Sequence, residues 1–546
     1  MTLAPSPQPT LAVDVDRGDR RRWIILAVLC MSLVIIVMDN TILNVAIPSL
    51  MTDLQASNTD VQWIIDAYTL VFAGLLLTTG TLSDRFGRKG ALQVGIVLFG
   101  LGSASAALSD STLHLIASRA FMGIGGALIM PSTLSILTNV FRDPRERGRA
   151  IAVWAGCSGL AVAIGPVIGG ILLRHFSWSS VFWVNIPIGI TALVLGAFFI
   201  PTSRDPNQGK LDLPGAALSI VAMISLLFGI IEGPGRGWTD SLVLAAFGIG
   251  LIGLASFIAW ELYVDEPMLD MRFFRNPRFS AANGAITLTF FAMFGSLFLM
   301  TQYWQLVHGY DALGAGVRMI PYAVAMMVVA PLSARMVERV GSKRVITAGL
   351  LVIAASLYGL SFIHATTSYP RVITLFTLMA VGMGMVMAPA TESVMGSLPR
   401  EKAGVGSAVN DTTRQMGGAL GVAIIGSIVA SAYAGGAAKV SREHGVSGAT
   451  LDRARSSLDQ ALEVGRALPD RVAGSDYVAG VKDAFVSALH LGLRTSGTVI
   501  LVAAFVVWRF LPARAADQLA IDASDGLGGR QHHDGDAFVA GAVAGD

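Results

Sequence analysis

Fourteen runs of about 20 apolar residues divide the 546-residue chain, and they decide what it can fold into. The hydrocarbon of a bilayer is ~30 Å thick, so a helix rising 1.5 Å per residue needs about 20 apolar residues to cross it. No water satisfies open backbone groups at that depth, so each run must close its own hydrogen bonds as a helix. The runs lie at about 23–48, 61–82, 90–110, 113–140, 149–173, 180–200, 214–233, 240–262, 280–306, 313–336, 344–364, 371–397, 403–433 and 484–511. Only 14% of residues are charged, against roughly 25% in a soluble domain, and the reading is an all-α integral membrane protein.

The net charge of +2 and the lack of a basic stripe with interleaved aromatics remove nucleic acid from the expected partners. Cys30 and Cys157 lie in apolar runs, with no disulfide framework and no metal-ligand spacing. Residues 1–22 are rich in Pro and charge and lack a signal-peptide core, so a disordered tail is expected there. The same reading holds for 514–546, with His532 and His533 part of a solvated tail rather than a metal site. Connections on the N-terminal tail's side carry seventeen Lys and Arg, from Arg85, Arg88 and Lys89 to Arg400 and Lys402, with Arg204 and Lys210 between. Short connections opposite carry three, Arg174, Arg236 and Arg371. The asymmetry puts both termini in the cytoplasm. The segment at about 434–483 is then a long extracytoplasmic loop.

An internal repeat orders these spans. GTLSDRFGRK after span two contains Gly80, Asp84, Arg85, Gly87, Arg88 and Lys89, and ARMVERVGSK after span ten contains Glu338, Arg339, Gly341 and Lys343. Acid, Arg, Gly and Lys recur at an offset of 254 residues, longer than a duplicated six-span unit allows. Two spans, 214–233 and 240–262, are therefore read as inserted. The expected domains are a six-span bundle over 23–200, a linker with two spans over 201–279, and a second six-span bundle over 280–513.

With these residues the chain resembles the 14-spanner drug/proton antiporters of the major facilitator superfamily, over about residues 20 to 512. GTLSDRFGRK is similar to that superfamily's loop between spans two and three. LIASRAFMGIGGA, with Arg119, resembles its span-four motif, although Met122 stands where glutamine is common. GCSGLAVAIGPVIGG resembles the span-five signature of its exporters, and MDNTILNVAIP the span-one motif of the 14-span branch. In FSWSSVFWVNIPIG, Ser179 takes a place that often holds arginine. The resemblance implies a multi-pass plasma-membrane antiporter that exports drugs, antibiotics or lipophilic cations on the proton gradient, with no cofactor.

Asp39 is the chemical anomaly of span one. A carboxylate in hydrocarbon costs at least ~2.5 kcal/mol, so it must be neutralised, paired or wet. Counting residues places Asp39 roughly 9 Å below the outer face, and Asp66 of span two and Arg119 of span four roughly 8 Å below it. A carboxyl between burial and a guanidinium is suited to binding and releasing a proton near neutral pH, so Asp39, Asp66 and Arg119 are the expected proton-coupling set. The structural alternative is that the carboxylates tie helices together. The equivalents of Asp39 and Asp66 in the second half are Met293 and Ile320, which concentrates proton handling in the first half. Glu392 and the Asp411/Arg414 pair lie nearer the cytoplasmic face, where a snorkelling or inner-gate role competes with proton carriage, and they are also read as residues of a substrate cavity.

In the loop 80–89, the glycines give tight turns while acid and bases can pair with neighbouring helices in one state of a rocking transporter and release them in the other. The bland reading is a solvated turn. Gly156, Gly159, Gly165, Pro166, Gly169 and Gly170 permit close helix approach and a kink, which packing alone explains; antiport is what the resemblance adds. Phe290, Phe294 and Phe298 recur at helical spacing ahead of Gln302, and are read as a cation-tolerant cavity wall or as rings against a neighbour. Met379, Met383 and Met387 are cavity lining or filler. Arg494 is either paired inside the bundle or on a helix that stands proud of the bilayer. LDRARSSLDQALEVGRAL, interrupted by Gly465, predicts an extracytoplasmic helix, and an accessory partner for it has no support in the sequence.

The leading expectation is proton-coupled export of hydrophobic or amphiphilic small molecules by alternating access. Export of a lipid or one endogenous metabolite is the alternative within transport, and a non-transporting sensor is the alternative outside it. No Walker phosphate loop and no nucleophile–base set stand out, so neither ATP drive nor an enzyme is expected.

Overall fold

The computed structural model describes residues 21–56, 58–204, 212–468 and 471–512. Most of both expected tails, including His532 and His533, and Lys210 lie outside these residues. Among the described residues, fourteen helices are long and apolar enough to cross a membrane, numbered here as spans one to fourteen: Arg21–Leu43, Asp60–Phe86, Arg88–Ala107, Thr112–Val140, Pro144–His175, Ser180–Phe199, Leu213–Arg236, Ser241–Tyr263, Pro277–Val307, Leu313–Val340, Ser342–Leu360, Tyr369–Met395, Arg400–Glu443 and Val472–Phe510. Each overlaps one of the apolar runs.

The spans form two bundles of six with the inserted pair beside them. Spans one to six share one buried core, in which Leu29, Phe72, Phe99, Leu134 and Trp154 are packed. Spans nine to fourteen share the other, around Phe279, Leu299, Trp304, Leu357, Phe376 and Leu489. Met379, Met383 and Met387 are buried in that second core, and the Tyr322 hydroxyl donates to Met383 Sδ at 3.2 Å, so the filler reading fits them. Span seven lies against span two, where Trp63 meets Phe228 at 6.1 Å and a Cβ built on Gly74 would come within 2.5 Å of Ile224. Just past its C-terminal end Trp238 Nε1 donates to Ser427 Oγ of span thirteen at 3.3 Å. Span seven thus bridges the seam between the bundles, and span eight packs on span seven.

Two helices outgrow the bilayer. The helix of span thirteen, Ala403–Glu443, has 41 residues and that of span fourteen, Arg471–Phe510, has 40; each is ~60 Å long at 1.5 Å per residue, twice the hydrocarbon thickness. The expected loop at 434–483 is therefore largely helical, with two short helices, Gly448–Ser456 and Leu458–Ala467, between the long ones. The break falls at Ser457, whose hydroxyl caps the second helix by accepting from Gln460 N, while Gly465 stays inside that helix against Tyr477. Arg494 donates to Ser361 Oγ at 3.3 Å and stands over the Phe362 ring at 5.6 Å, just past the end of span eleven, so it has partners in the second bundle.

Candidate functional site

In span one, Asn40 and Thr41 return side-chain hydrogen bonds to the carbonyls of Ile36 and Val37. The Asp39 carboxylate, 1% exposed, finds its partners on other helices. Arg119 of span four, 0% exposed, forms an ion pair with Asp39 Oδ2. Asn185 Nδ2 of span six donates to Asp39 Oδ1 at 2.9 Å and reaches Ser103 Oγ of span three at 3.1 Å. Arg119 Nε donates to the Ile64 carbonyl of span two at 3.1 Å, and its guanidinium stands 4.5 Å from the Tyr68 ring centroid. Five spans converge on one buried charge pair. Span six breaks at Val184, between Ser180–Trp183 and Asn185–Phe199, and Ser103 Oγ donates to the Phe182 carbonyl at 2.8 Å beside that break.

Asp66 is not part of this cluster, which corrects the expected trio. It accepts from Gln62 on its own helix and faces Glu232 of span seven, whose carboxylate is held by Arg236 at 2.5 Å. Equal depth along two helices does not imply a shared face. Asn185, Ser103 and Tyr68 take the places around Asp39 that the depth count alone gave to Asp66.

The face bearing the loop 80–89, expected to be cytoplasmic, is called the inner face. There Asp84 caps the N-terminus of the span-thirteen helix: Gly404 N and Val405 N donate to its Oδ2 at 2.7 and 3.2 Å. Arg88 Nε and Ser135 Oγ donate to Oδ1 at 2.7 and 3.3 Å, and Arg88 also donates to the carbonyls of Arg400 and Glu401 at 2.9 and 3.0 Å. The capping needs close approach, and Gly80 supplies it: a Cβ there would lie 2.5 Å from Ala408 Cβ and 2.7 Å from the Gly404 carbonyl oxygen. Gly87 turns the chain at φ 111°, as Gly341 does at φ 86° in the second copy. Lys89 donates to the Ala197 carbonyl at 2.7 Å, within its own bundle. Arg85 stands over the Phe86 ring at 5.6 Å, and Arg339 is exposed.

The second copy of the loop acts differently. Glu338 pairs with the Arg149 side chain of span five at 2.9 Å instead of capping a helix. Span five also sends Arg147 to Glu392 of span twelve, with Nε at 3.1 Å from both carboxylate oxygens and a second nitrogen at 2.7 Å from one. Arg400 donates to the Arg142 carbonyl at 2.7 Å. Glu392 therefore sits in the inter-bundle contacts of the inner face, not on a cavity wall. In this structure the inner face is closed by backbone capping, an ion pair and a bidentate pair.

Two turns above that closure, Asp411 and Arg414 are buried 3.8 Å apart. Arg414 donates to Thr391 Oγ1 at 2.8 Å and stands 5.1 Å from the Trp154 ring centroid of span five and 5.4 Å from that of Phe290. This cluster joins the two bundles at their centre. Phe290 stacks on Phe294 at 5.9 Å, while Phe294 and Phe298 lie over Gly418 and Gly426 of span thirteen, rings against a neighbouring helix. Gln302 is partly buried at the end of that row. Trp154 and Arg147 carried no signal beyond being a bulky and a charged residue near span five's inner end. Asn185 did carry one, as a lone amide in an apolar run.

The span-five glycines divide between two partners. Gly165 and Gly169 face Thr41 and Ile42 of span one, and a Cβ on Gly165 would lie 2.0 Å from Thr41 Oγ1. Gly156, Gly159 and Gly170 face Met327, Met326 and Leu313 of span ten, and Pro166 meets Gly316. The motif is where the first bundle meets the second along the outer half. Among the described residues no group of three or more His, Cys, Asp or Glu is arranged to hold a metal ion.

The Major Facilitator Superfamily profile matches residues 29–422. The tetracenomycin C resistance and export protein of Streptomyces glaucescens is 34% identical, over 89% of this chain and 91% of that protein. The multidrug efflux pump LfrA of Mycolicibacterium smegmatis is 33% identical over 90% and 97%. The methyl viologen resistance protein SmvA of Salmonella typhimurium is 33% identical over 89% and 98%. Among solved structures, the human organic anion transporter MFSD10 superposes with a TM-score of 0.58 at 14% identity, covering 90% of this chain and 100% of that one. The proton:xylose symporter XylE gives 0.55 at 14% identity, covering 90% and 96%.

Proposed function

The chain belongs to the major facilitator superfamily, and on that premise we propose that it is a proton-coupled antiporter exporting hydrophobic or amphiphilic compounds, lipophilic cations among them, by alternating access. It is a transporter rather than an enzyme, a multi-pass protein of the plasma membrane. Its similarity to resistance and efflux proteins supports the substrate class and the outward direction. Both termini are taken as cytoplasmic, from the charge asymmetry of the loops.

The observation that carries proton coupling is the buried Asp39–Arg119 pair with its Asn185 donor. A proton arriving at Asp39 neutralises the carboxylate and leaves Arg119 with the Ile64 carbonyl and the Tyr68 ring. Spans one and four then lose their ionic tie, and a protonation event becomes a packing event. In this reading Asp39 carries the proton, Arg119 and Asn185 hold the ionised form, the buried inner contacts of Asp84 and Arg147 form and break with the cycle, and the solvated Glu338–Arg149 pair follows it. Asp411, Arg414, Trp154 and Phe290, packed together where the bundles meet, are the groups substrate meets once the bundles separate.

The test is uphill export by purified protein in proteoliposomes with an imposed pH gradient. Asp39→Asn is expected to abolish export against a gradient while a neutral substrate still binds. Gradient-driven export by that variant would remove Asp39 from the mechanism.

A further inference from the structure

At the outer end of the second bundle, a cavity of about 330 Å³ opens between the end of span nine, the short helix Leu458–Ala467 and span fourteen. Gln305 and Gly309 form one wall, Asp459 and Arg466 the second, and Lys482 the third. The two cations, on two different helices, are the unusual feature. On the neighbouring outer helix, Arg453 and Arg455 have acid partners in Glu463 and Asp452 at 3.2 and 3.8 Å. Arg466 and Lys482 form no ion pair among the described residues, and Asp459 lines the same cavity without bridging either. Lys482 Nζ donates one hydrogen to the Val307 carbonyl at 2.7 Å, which leaves two of its three donors and Arg466's guanidinium for something else.

The surroundings add to the positive potential. Arg318, a third cation, stands 3.7 Å from the Tyr310 ring centroid beside His308. Burial together with Lys482 and Arg318 pushes the His308 imidazole below its ordinary range, so it is neutral and brings no charge of its own. The wall itself is irregular: span nine ends in a π-helical turn, Tyr303–Val307, a rare geometry that concentrates at functional sites. Tyr303, Trp304, Tyr310 and Tyr369 cluster at this level, Trp304 lying 5.9 Å from Tyr310 and 5.6 Å from Tyr369. Tyr303 and Trp304 are fully buried, so the depth is read from the span itself: span nine ends at Val307, beside the cavity, where hydrocarbon gives way to the headgroup region that holds phospholipid phosphates.

We propose that this cavity is an anion site that takes a phosphate group between Arg466 and Lys482 at the outer membrane surface. The phosphate belongs either to the headgroup of an anionic phospholipid or to a free solute; both present the same oxygens to the same two donors. The site is separate from the Asp39 cluster, which lies in the other bundle.

Native mass spectrometry of the full chain tests this with two probes, phosphatidylglycerol and inorganic phosphate, with phosphatidylcholine as the neutral control. The wild type is expected to retain phosphatidylglycerol over phosphatidylcholine. The double variant Arg466→Gln/Lys482→Gln should lose that preference by about ten-fold or more, since charge-assisted bonds to both cations are removed. Asp459→Asn, which removes the one carboxylate in the cavity, should move the preference the other way. Inorganic phosphate binding that the double variant abolishes assigns a free anion, and phosphatidylglycerol binding alone assigns a lipid; either supports the site. Should the double variant unfold, Lys482→Arg must retain binding and Asp459→Asn must still strengthen it. Equal retention of both lipids by wild type together with no inorganic phosphate binding, or binding that neither Asp459→Asn nor the double variant changes, overturns the proposal.

Discussion

Replacing Asp84 with asparagine should tip the transporter toward an inner-open state. The carboxylate receives four hydrogen bonds, two from Gly404 N and Val405 N at 2.7 and 3.2 Å and two from Arg88 and Ser135 at 2.7 and 3.3 Å. An asparagine has one acceptor oxygen, so it serves either the helix N-terminus or Arg88, and its amide hydrogens then face donors. The Arg88 bond stays within the first bundle, and the backbone bonds from span thirteen are the ones that separate when the inner face opens. Hydrogen bonds to a charged group contribute ~1.5–3 kcal/mol each, and a helix N-terminus adds ~0.3–1 kcal/mol for a nearby anion. Water replaces part of this in the open state, so a net shift of about 2 kcal/mol, roughly 30-fold in the equilibrium, is the working figure. Spin labels at Phe86→Cys and Val340→Cys, exposed positions at the inner ends of spans two and ten, report the opening by pulsed electron resonance once Cys30 and Cys157 are replaced. Unchanged distance distributions together with wild-type efflux would refute the reasoning.

Three further outcomes follow from the site. Asp39→Asn should abolish gradient-driven export in proteoliposomes, with binding of a neutral substrate, measured by calorimetry, within a few-fold of wild type. Arg147→Glu should destabilise the inner closure by about 3–5 kcal/mol, the cost of breaking a buried pair from one side, and efflux should return in the Arg147→Glu/Glu392→Arg swap. Loss of efflux in the swap as complete as in the single variant would mean the pair acts through more than charge. Glu338→Gln should change efflux and label distances little, within ~1 kcal/mol or about five-fold, because its partner Arg149 is solvated.

The span count was legible because hydrocarbon thickness allows one solution for each 20-residue run, and the repeat offset of 254 located the inserted pair. Depth along a helix was legible for the same reason, and it brought Asp39 and Arg119 to one level. Azimuth was the missing coordinate. Arg119 meets span two at Ile64 and Tyr68, one turn apart, and Asp66 is two residues from each. At about 100° per residue that turns its side chain roughly 200° away, toward span seven. The arithmetic was available, but which face met Arg119 depended on a contact between helices 55 residues apart. Asn185 was hidden differently: an amide in an apolar run declares that it needs a partner without saying which.

The repeat preserves a sequence pattern while dividing the labour of the inner face. Asp84 and Glu338 occupy equivalent places in the 80–89 and 334–343 loops, and each points across the seam at a helix of the other bundle. Asp84 is 4% exposed and caps the span-thirteen helix through its backbone, so its contact depends on the exact position of that helix and is shielded from salt. Glu338 meets the flexible Arg149 side chain, with side-chain exposures of 30% and 48%, a contact that stretches over several ångströms of helix movement and is screened. A rigid, buried contact resists separation until it breaks, whereas a long solvated pair follows the movement. The span two–thirteen seam and the buried Arg147–Glu392 pair of spans five and twelve therefore set the threshold for inner opening, and the span five–ten seam, with its solvated pair at the inner end and Gly156, Gly159 and Gly170 against Met327, Met326 and Leu313 above, is where the bundles can roll. Span seven lies along the span two–thirteen seam, tied at Gly74 and Ser427, where a bridge across two bundles adds most to the threshold.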